Sequence, residues 1–190
     1  MRHKDEAKQD AIIRATVKLV NEIGFVSSSV SKIAREANVS PATLYIYYEN
    51  KEDLLVSTYI DIKRRMSEAA LEGFDDGLPI RDIIKRLWFN LFRFIADNPG
   101  DFQYTEQFGN SPYSSLVDQS EVEKHFAPLV EIARRGIERK IIKDVPLEFL
   151  QIFIFYPIFV LANPRLCAGF EGDEQSVETA FDMAWDAIKL

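Results

Sequence analysis

Apolar residues return every three to four positions through most of this chain, a period that predicts helices and not strands. A first helix is expected from about Lys4 to Ile23, with Ile12, Ala15, Leu19 and Ile23 inward and Gly24 as C-cap. Two short amphipathic helices fit the stretch from Ser29 to Lys51. A fourth opens at Asn50, whose side chain caps while Asp53 answers from the third helical position, and runs to about Leu71. Leu55, Tyr59, Ile62, Met66 and Ala69 form its apolar stripe. The breaker-rich Gly73–Pro79 is a loop. Five more helices are predicted, at about Ile80–Asp97, Asp101–Asn110, Ser120–Ile142, Pro146–Ala162 and from Asp173 onward. The seventh carries Val122, Phe126, Leu129, Ala133 and Ile137; the ninth turns Val177, Phe181, Ala184 and Ile188 inward. The fold class is therefore all-α, with no internal repeat.

The stretch from Ser29 to Lys51 has the layout of a helix-turn-helix. Ser29 caps its first helix, and Val30, Ile33, Ala34 and Ala37 share one face. Ala34 is small enough for a second helix to cross closely. Asn38 tolerates the left-handed backbone that ends a helix. Ser40 caps the second helix, and Pro41 at its first position lacks only an amide that has no partner there. Leu44 and Tyr48, four apart, anchor that helix inward. Pro41, Ala42, Thr43, Tyr45, Ile46 and Tyr47 are left on or near its outer surface, and an exposed Tyr-Ile-Tyr run calls for a partner.

These residues resemble the tetracycline-repressor (TetR) family of bacterial transcriptional regulators. The resemblance covers roughly residues 8 to 56 and rests on Ile23-Gly24-Phe25, Val30 to Ala34, Val39 to Tyr45, Tyr48, and Lys51-Glu52-Asp53-Leu54. Asn38 stands in place of the usual turn glycine, Lys32 in place of an acidic capping-box residue, and Ile46-Tyr47-Tyr48 in place of the commoner x-His-Phe. The resemblance implies an N-terminal DNA-binding domain over residues 1–50 and a helical ligand-binding and dimerisation domain over 51–190. It implies a homodimer on a palindromic operator, acting as a repressor and released by a small molecule. It also implies that Tyr45 and Tyr47 offer hydroxyls to phosphates. Thr43 fits a base edge or a phosphate, and Pro41, Ala42 and Ile46 fit thymine methyls. Ser28 or Ser29, Ser40 and Lys51 would hold the DNA backbone; Arg2 and Lys4 either reach the minor groove or form a solvated end. With no arginine on the recognition helix, strong guanine readout by that helix is not expected.

Composition fits a globular chain: 190 residues, 47% hydrophobic and 28% charged. The single cysteine, Cys167, rules out an internal disulfide and suits a reducing compartment. The start has no apolar signal core, and the longest apolar run, Phe153 to Ala162, is too short to span a bilayer. A cytoplasmic location is expected. The net charge of −7 at first opposes DNA binding, but it is unevenly spread. Residues 1–65 hold 11 Lys and Arg against 9 Asp and Glu, a balance of +2; residues 66–190 hold 12 against 21, a balance of −9. Phosphate affinity follows the local field at the contact surface.

The second part is rich in rings. Trp88, Phe89, Phe92, Tyr104, Phe108, Phe126, Phe153 and Tyr156 either fill a core or line an apolar pocket for a small apolar or aromatic effector, and both readings stand at this point. Glu106, Gln107 and His125 are the polar groups placed to orient a ligand, and Glu106 beside rings would favour a cation. The eighth helix is apolar nearly all round and must be covered on every side, which points to a two-fold partner. Ile154, Ile158, Leu161, Ala180, Met183 and Ala187 are the expected dimer residues. His3 and His125 are the only histidines, and no phosphate loop or metal-ligand spacing occurs, so neither an enzyme, a cofactor nor a metal site is expected. The alternative is a helical protein-interaction module that does not bind DNA.

Overall fold

The computed structural model describes residues 5–190. Among them are nine α-helices and no strand: α1 (Glu6–Ser27), α2 (Val30–Glu36), α3 (Pro41–Tyr47), α4 (Lys51–Ala70), α5 (Ile80–Asp97), α6 (Pro99–Gly109), α7 (Gln119–Glu138), α8 (Leu147–Leu161) and α9 (Glu174–Ile188). A short 3-10 helix, Pro112–Leu116, lies between α6 and α7. The helices gather into two compact units, one of residues up to Lys63 with Gly100–Glu121, the other of Arg64–Pro99 with Val122–Leu190. None of the helices is long and apolar enough to cross a membrane.

In the first unit, α1 starts where the Asp5 carboxylate accepts the amide of Ala7. Its regular winding stops at Gly24, whose φ of 77° is left-handed. That break overturns one expectation. Ile23 is 40% exposed, because the inward stripe ends one turn earlier at the fully buried Val20. The core beneath the helix-turn-helix is Ile12, Ala15, Ile33, Ala34, Ala37, Leu44, Tyr48 and Leu54. A second, aromatic core holds α6 to α1 and α4. Tyr59 stacks on Phe108 at 4.5 Å, and Phe25 meets Tyr104, Phe108 and Tyr113. The buried Tyr104 hydroxyl donates to Leu55 O at 2.8 Å, and the Asn21 amide donates to Gly100 O at 2.8 Å. At the start of α4, Asp53 N donates to Asn50 Oδ1 as expected, while the Asp53 carboxylate answers the amide of Glu49 and not that of Asn50.

In the second unit, α5, α8 and α9 pack together around Trp88, Phe181 and Trp185. Trp88 Nε1 donates to Ile154 O at 2.7 Å, which satisfies a buried indole. α7 ends earlier than its apolar pattern predicts. Lys140 turns left-handed, and Ile142 folds back over Gly136, so that a Cβ on that glycine would collide with Ile142 Cδ1. Ile142 then pairs with Lys189 in an isolated antiparallel bridge that ties the end of α9 to the segment after α7. Of the stripe expected on α7, all five residues are half-buried, while Ile132 and Gly136 are the buried ones.

Candidate nucleic-acid interface

The turn between α2 and α3 is built by local hydrogen bonds that the sequence encodes. Ser29 Oγ accepts the amide of Lys32 at 3.4 Å. Asn38 takes φ 55°, and the amide of Val39 returns to Ala34 O at 2.9 Å. Ser40 Oγ accepts Thr43 N at 3.0 Å and also bonds the Thr43 hydroxyl at 2.9 Å. Two capped helices are thereby set at a fixed angle across Ala34.

That angle decides which side of α3 faces out. Leu44 and Tyr48 are buried on the inner side. Pro41, Ala42, Tyr45 and Ile46 are exposed, Tyr45 to 53% and Ile46 to 42%, while Thr43 and Tyr47 are half-buried. The result is a narrow ridge of one phenol, one branched aliphatic and two small residues, edged by the hydroxyls of Ser40 and Thr43. Such a ridge has the size and chemistry to lie against base edges and phosphates.

Three other residues expected at the DNA backbone are placed by bonds within the protein. Ser28 is fully buried, and its hydroxyl donates to Gly24 O at 2.8 Å. Lys51 Nζ donates to Phe25 O at 2.6 Å and Val26 O at 3.3 Å, closing the carbonyls left open where α1 breaks. Tyr47 reaches back to the start of α1: its hydroxyl accepts the amide of Asp5 at 2.9 Å and donates to Asp5 O at 3.2 Å. Sequence spacing carries no signal for this closure across 42 residues. Arg2, His3 and Lys4 lie outside the described residues.

The expected ring residues divide between the two units. Tyr104 and Phe108 are fully buried in the aromatic core of the first, where Glu106 is exposed and Gln107 Nε2 donates to Asn21 Oδ1. Trp88, Phe89, Phe92, Phe126, Phe153 and Tyr156 belong to the second. There Trp88 is stacked on Phe92 and edge-on to Phe181, Phe89 and Phe126 are half-buried, and His125 O accepts from Ser67.

α8 is two-sided. Ile154 and Ile158 are buried within their own chain, whereas Phe149, Ile152, Phe153 and Tyr156 are more than half exposed, Tyr156 to 61%. An all-round apolar helix gives no clue to which side its own subunit covers, so Phe149 and Ile152 were not anticipated. On α9, Met183 is 72% exposed, Ala187 is exposed and Ala180 is half-buried. Phe153, Leu161, Ala180, Met183 and Ala187 line an open groove of about 680 Å³ between α8 and α9. The described residues contain no group of three or more His, Cys, Asp or Glu placed to hold a metal ion.

Comparison with known proteins adds to this geometry. Residues 12–58 match the family described as bacterial regulatory proteins, tetR family, and residues 79–189 match the tetracyclin repressor-like C-terminal domain. A TetR family transcription regulator from Marinobacter aquaeolei VT8 superposes with a TM-score of 0.90 at 40% identity, covering 100% of this chain and 99% of that one. An HTH-type transcriptional regulator of Haemophilus influenzae is 28% identical over 112 residues, 59% of this chain and 60% of that protein. FadR from Bacillus subtilis, solved in complex with stearoyl-CoA, shares the fold with a TM-score of 0.72 at 21% identity, over 94% of this chain and 97% of that one.

Proposed function

The chain belongs to the tetR family of DNA-binding transcriptional regulators, and from that premise we propose that it is a ligand-released repressor that binds a palindromic operator as a homodimer. The observation that carries this reading is the outward side of α3, where Tyr45 and Ile46 stand exposed on a helix fixed by two side-chain caps. In this reading Pro41, Ala42 and Ile46 pack on thymine methyls, Thr43 and Tyr45 meet a base edge or phosphate, and Ser29 and Ser40 flank the strand. Two such heads bind together only when their spacing matches a turn of the duplex, about 34–36 Å or a multiple.

The exposed face of α8 and α9, with Phe149, Ile152, Phe153, Tyr156 and Met183, supports the dimer, since apolar area of that extent is stable in water only when covered. The effector is a small apolar or aromatic molecule. The ring-rich α5 supports this, as does the stearoyl-CoA bound by FadR from Bacillus subtilis, which shares the fold. Trp88 and Trp185, the only tryptophans, report its arrival by fluorescence.

A labelled duplex from the DNA flanking the gene tests the reading. Saturable binding that weakens with salt, and that an apolar compound reverses while it quenches tryptophan emission, is the expected result. Absence of duplex binding at low salt overturns the proposal and favours a helical protein-interaction module.

A further inference from the structure

The first unit encloses a cation that has no counterion. Lys63 follows Tyr59 by one turn of α4, and its Nζ lies over the Tyr59 ring, 5.4 Å from the centroid. That ring is stacked on the fully buried Phe108 at 4.5 Å. Other lysines of the chain meet oxygen: Lys18 pairs with Glu36, Lys85 with Glu178, and Lys51 reaches two carbonyls. Among the described residues no carboxylate pairs with Lys63 and no acceptor takes a hydrogen bond from it. Lys63 is half-buried, so its amine can still be reached, yet burial pushes that amine below the usual lysine pKa. A ring face offsets only part of the cost of a poorly hydrated ammonium.

The Tyr59 hydroxyl is in the same condition. Tyr59 is half-buried, burial raises its pKa, and its hydroxyl makes no hydrogen bond to a described residue. Two donors without an acceptor therefore stand together at the edge of an aromatic core. Glu106, the charge expected to select a cationic ligand, is exposed instead. The sign expected of the ligand is thereby reversed. We infer that Lys63 and Tyr59 hold the acid group of the effector, a carboxylate carried on an apolar or aromatic body. The ammonium supplies the opposite charge. The phenol lies on the ring that Lys63 covers, so the two oxygens of one carboxylate serve both donors. The inference rests on the proposed reading that a small molecule releases the chain from DNA, and it narrows that molecule to an organic anion.

Calorimetry on the full chain tests it with octanoate, dodecanoate and phenylbutyrate, each against its own primary amide, which keeps the body and removes the charge. At least one acid should bind the wild type about 10- to 100-fold more tightly than its amide, the range for hydrogen bonds to a charged group. Lys63→Met keeps the apolar stem and should abolish that preference while the amide's affinity stays within about twofold. Tyr59→Phe keeps the stacked ring and should weaken the acid about threefold to tenfold. Thermal melting of Lys63→Met should match or exceed the wild type, since a poorly hydrated charge is deleted; a purely structural lysine would lower the midpoint and leave the acid-to-amide ratio unchanged. Failure of all three acids to bind overturns the inference. So does equal binding of acid and amide by the wild type, or a preference for the acid that survives Lys63→Met. Failure of the underlying reading is distinct: an acid binds with the expected dependence on Lys63, and the labelled flanking duplex is not released.

Discussion

Two exposed apolar surfaces on this chain look alike by composition and differ in shape and edge. The outer side of α3 is seven residues long, about 10 Å at 1.5 Å per residue, and is bordered by the hydroxyls of Ser40 and Thr43. The α8–α9 face runs along two helices of 15 residues each, and α8 has no charged residue after Glu148. The first has the dimensions of a reading element for a groove about 12 Å wide with polar walls. The second has the breadth and lack of charge of an interface core between protein copies. Apolar exposure alone therefore does not name a partner; the polar edge and the extent do.

The largest effect should come from placing a charge on the broad face. Met183→Glu leaves the single chain folded, because the side chain is already mostly in water. In the proposed dimer it buries an unpaired carboxylate at a cost of several kcal/mol. Sedimentation should find a monomer, and operator affinity should fall at least about 100-fold, because one head must then bind alone. A Met183→Glu protein that keeps the mass and affinity of the wild type removes the α8–α9 face as the dimer contact.

Next comes Leu44→Ala, inside the head. A fully buried leucine cut to alanine costs about 2–5 kcal/mol. Because Leu44 belongs to the core of the helix-turn-helix, duplex binding should be lost while sedimentation still reports the proposed dimer. If both are lost together, the two faces are not independent and the comparison weakens.

Much of this was legible before any coordinates. The caps at Ser29 and Ser40, the left-handed Asn38 and the inward Leu44 and Tyr48 all follow from local rules, and each is found. The failures have a common cause. Ile23, Ile154, Ile158 and the end of α7 depend on what the rest of the chain covers, which periodicity does not encode. Ile142 illustrates it: its apolar side chain continues the helical pattern, yet it is buried by folding back onto Gly136, where only a hydrogen leaves room. The rings expected to line one pocket are likewise claimed by two separate cores, because ring content reports burial and not which core a ring joins.

A smaller effect is expected on the narrow face. Ile46→Ala removes exposed apolar contact without touching the core, so stability stays within about 0.5 kcal/mol. Operator affinity should drop about fivefold to tenfold, and preference for thymine at the contacted step should relax, as judged by competition with substituted duplexes. Unchanged affinity in both tests would falsify the assignment of this side of α3 to the groove.

The smallest effect at neutral pH belongs to Tyr48, the inward counterpart of Tyr45. Its hydroxyl is buried and has no hydrogen-bond partner among the described residues, although the Gln9 side chain lies close enough to oppose part of the shift. Burial pushes its pKa up to about 12. Tyr48→Phe therefore deletes a polar group that makes no bond in the fold, and near pH 7 stability should stay level or rise by up to about 1 kcal/mol. The sign reverses in alkali. The unfolded phenol ionises at about pH 10 while the folded one stays neutral, so this residue's contribution is intact below about pH 10 and is lost as pH climbs towards about 12. Urea unfolding across that window should show the wild type losing up to about 3 kcal/mol more than Tyr48→Phe. Equal losses in the two proteins would mean that the phenol is solvated in the folded head, and that the inner side of α3 is as open to water as the outer.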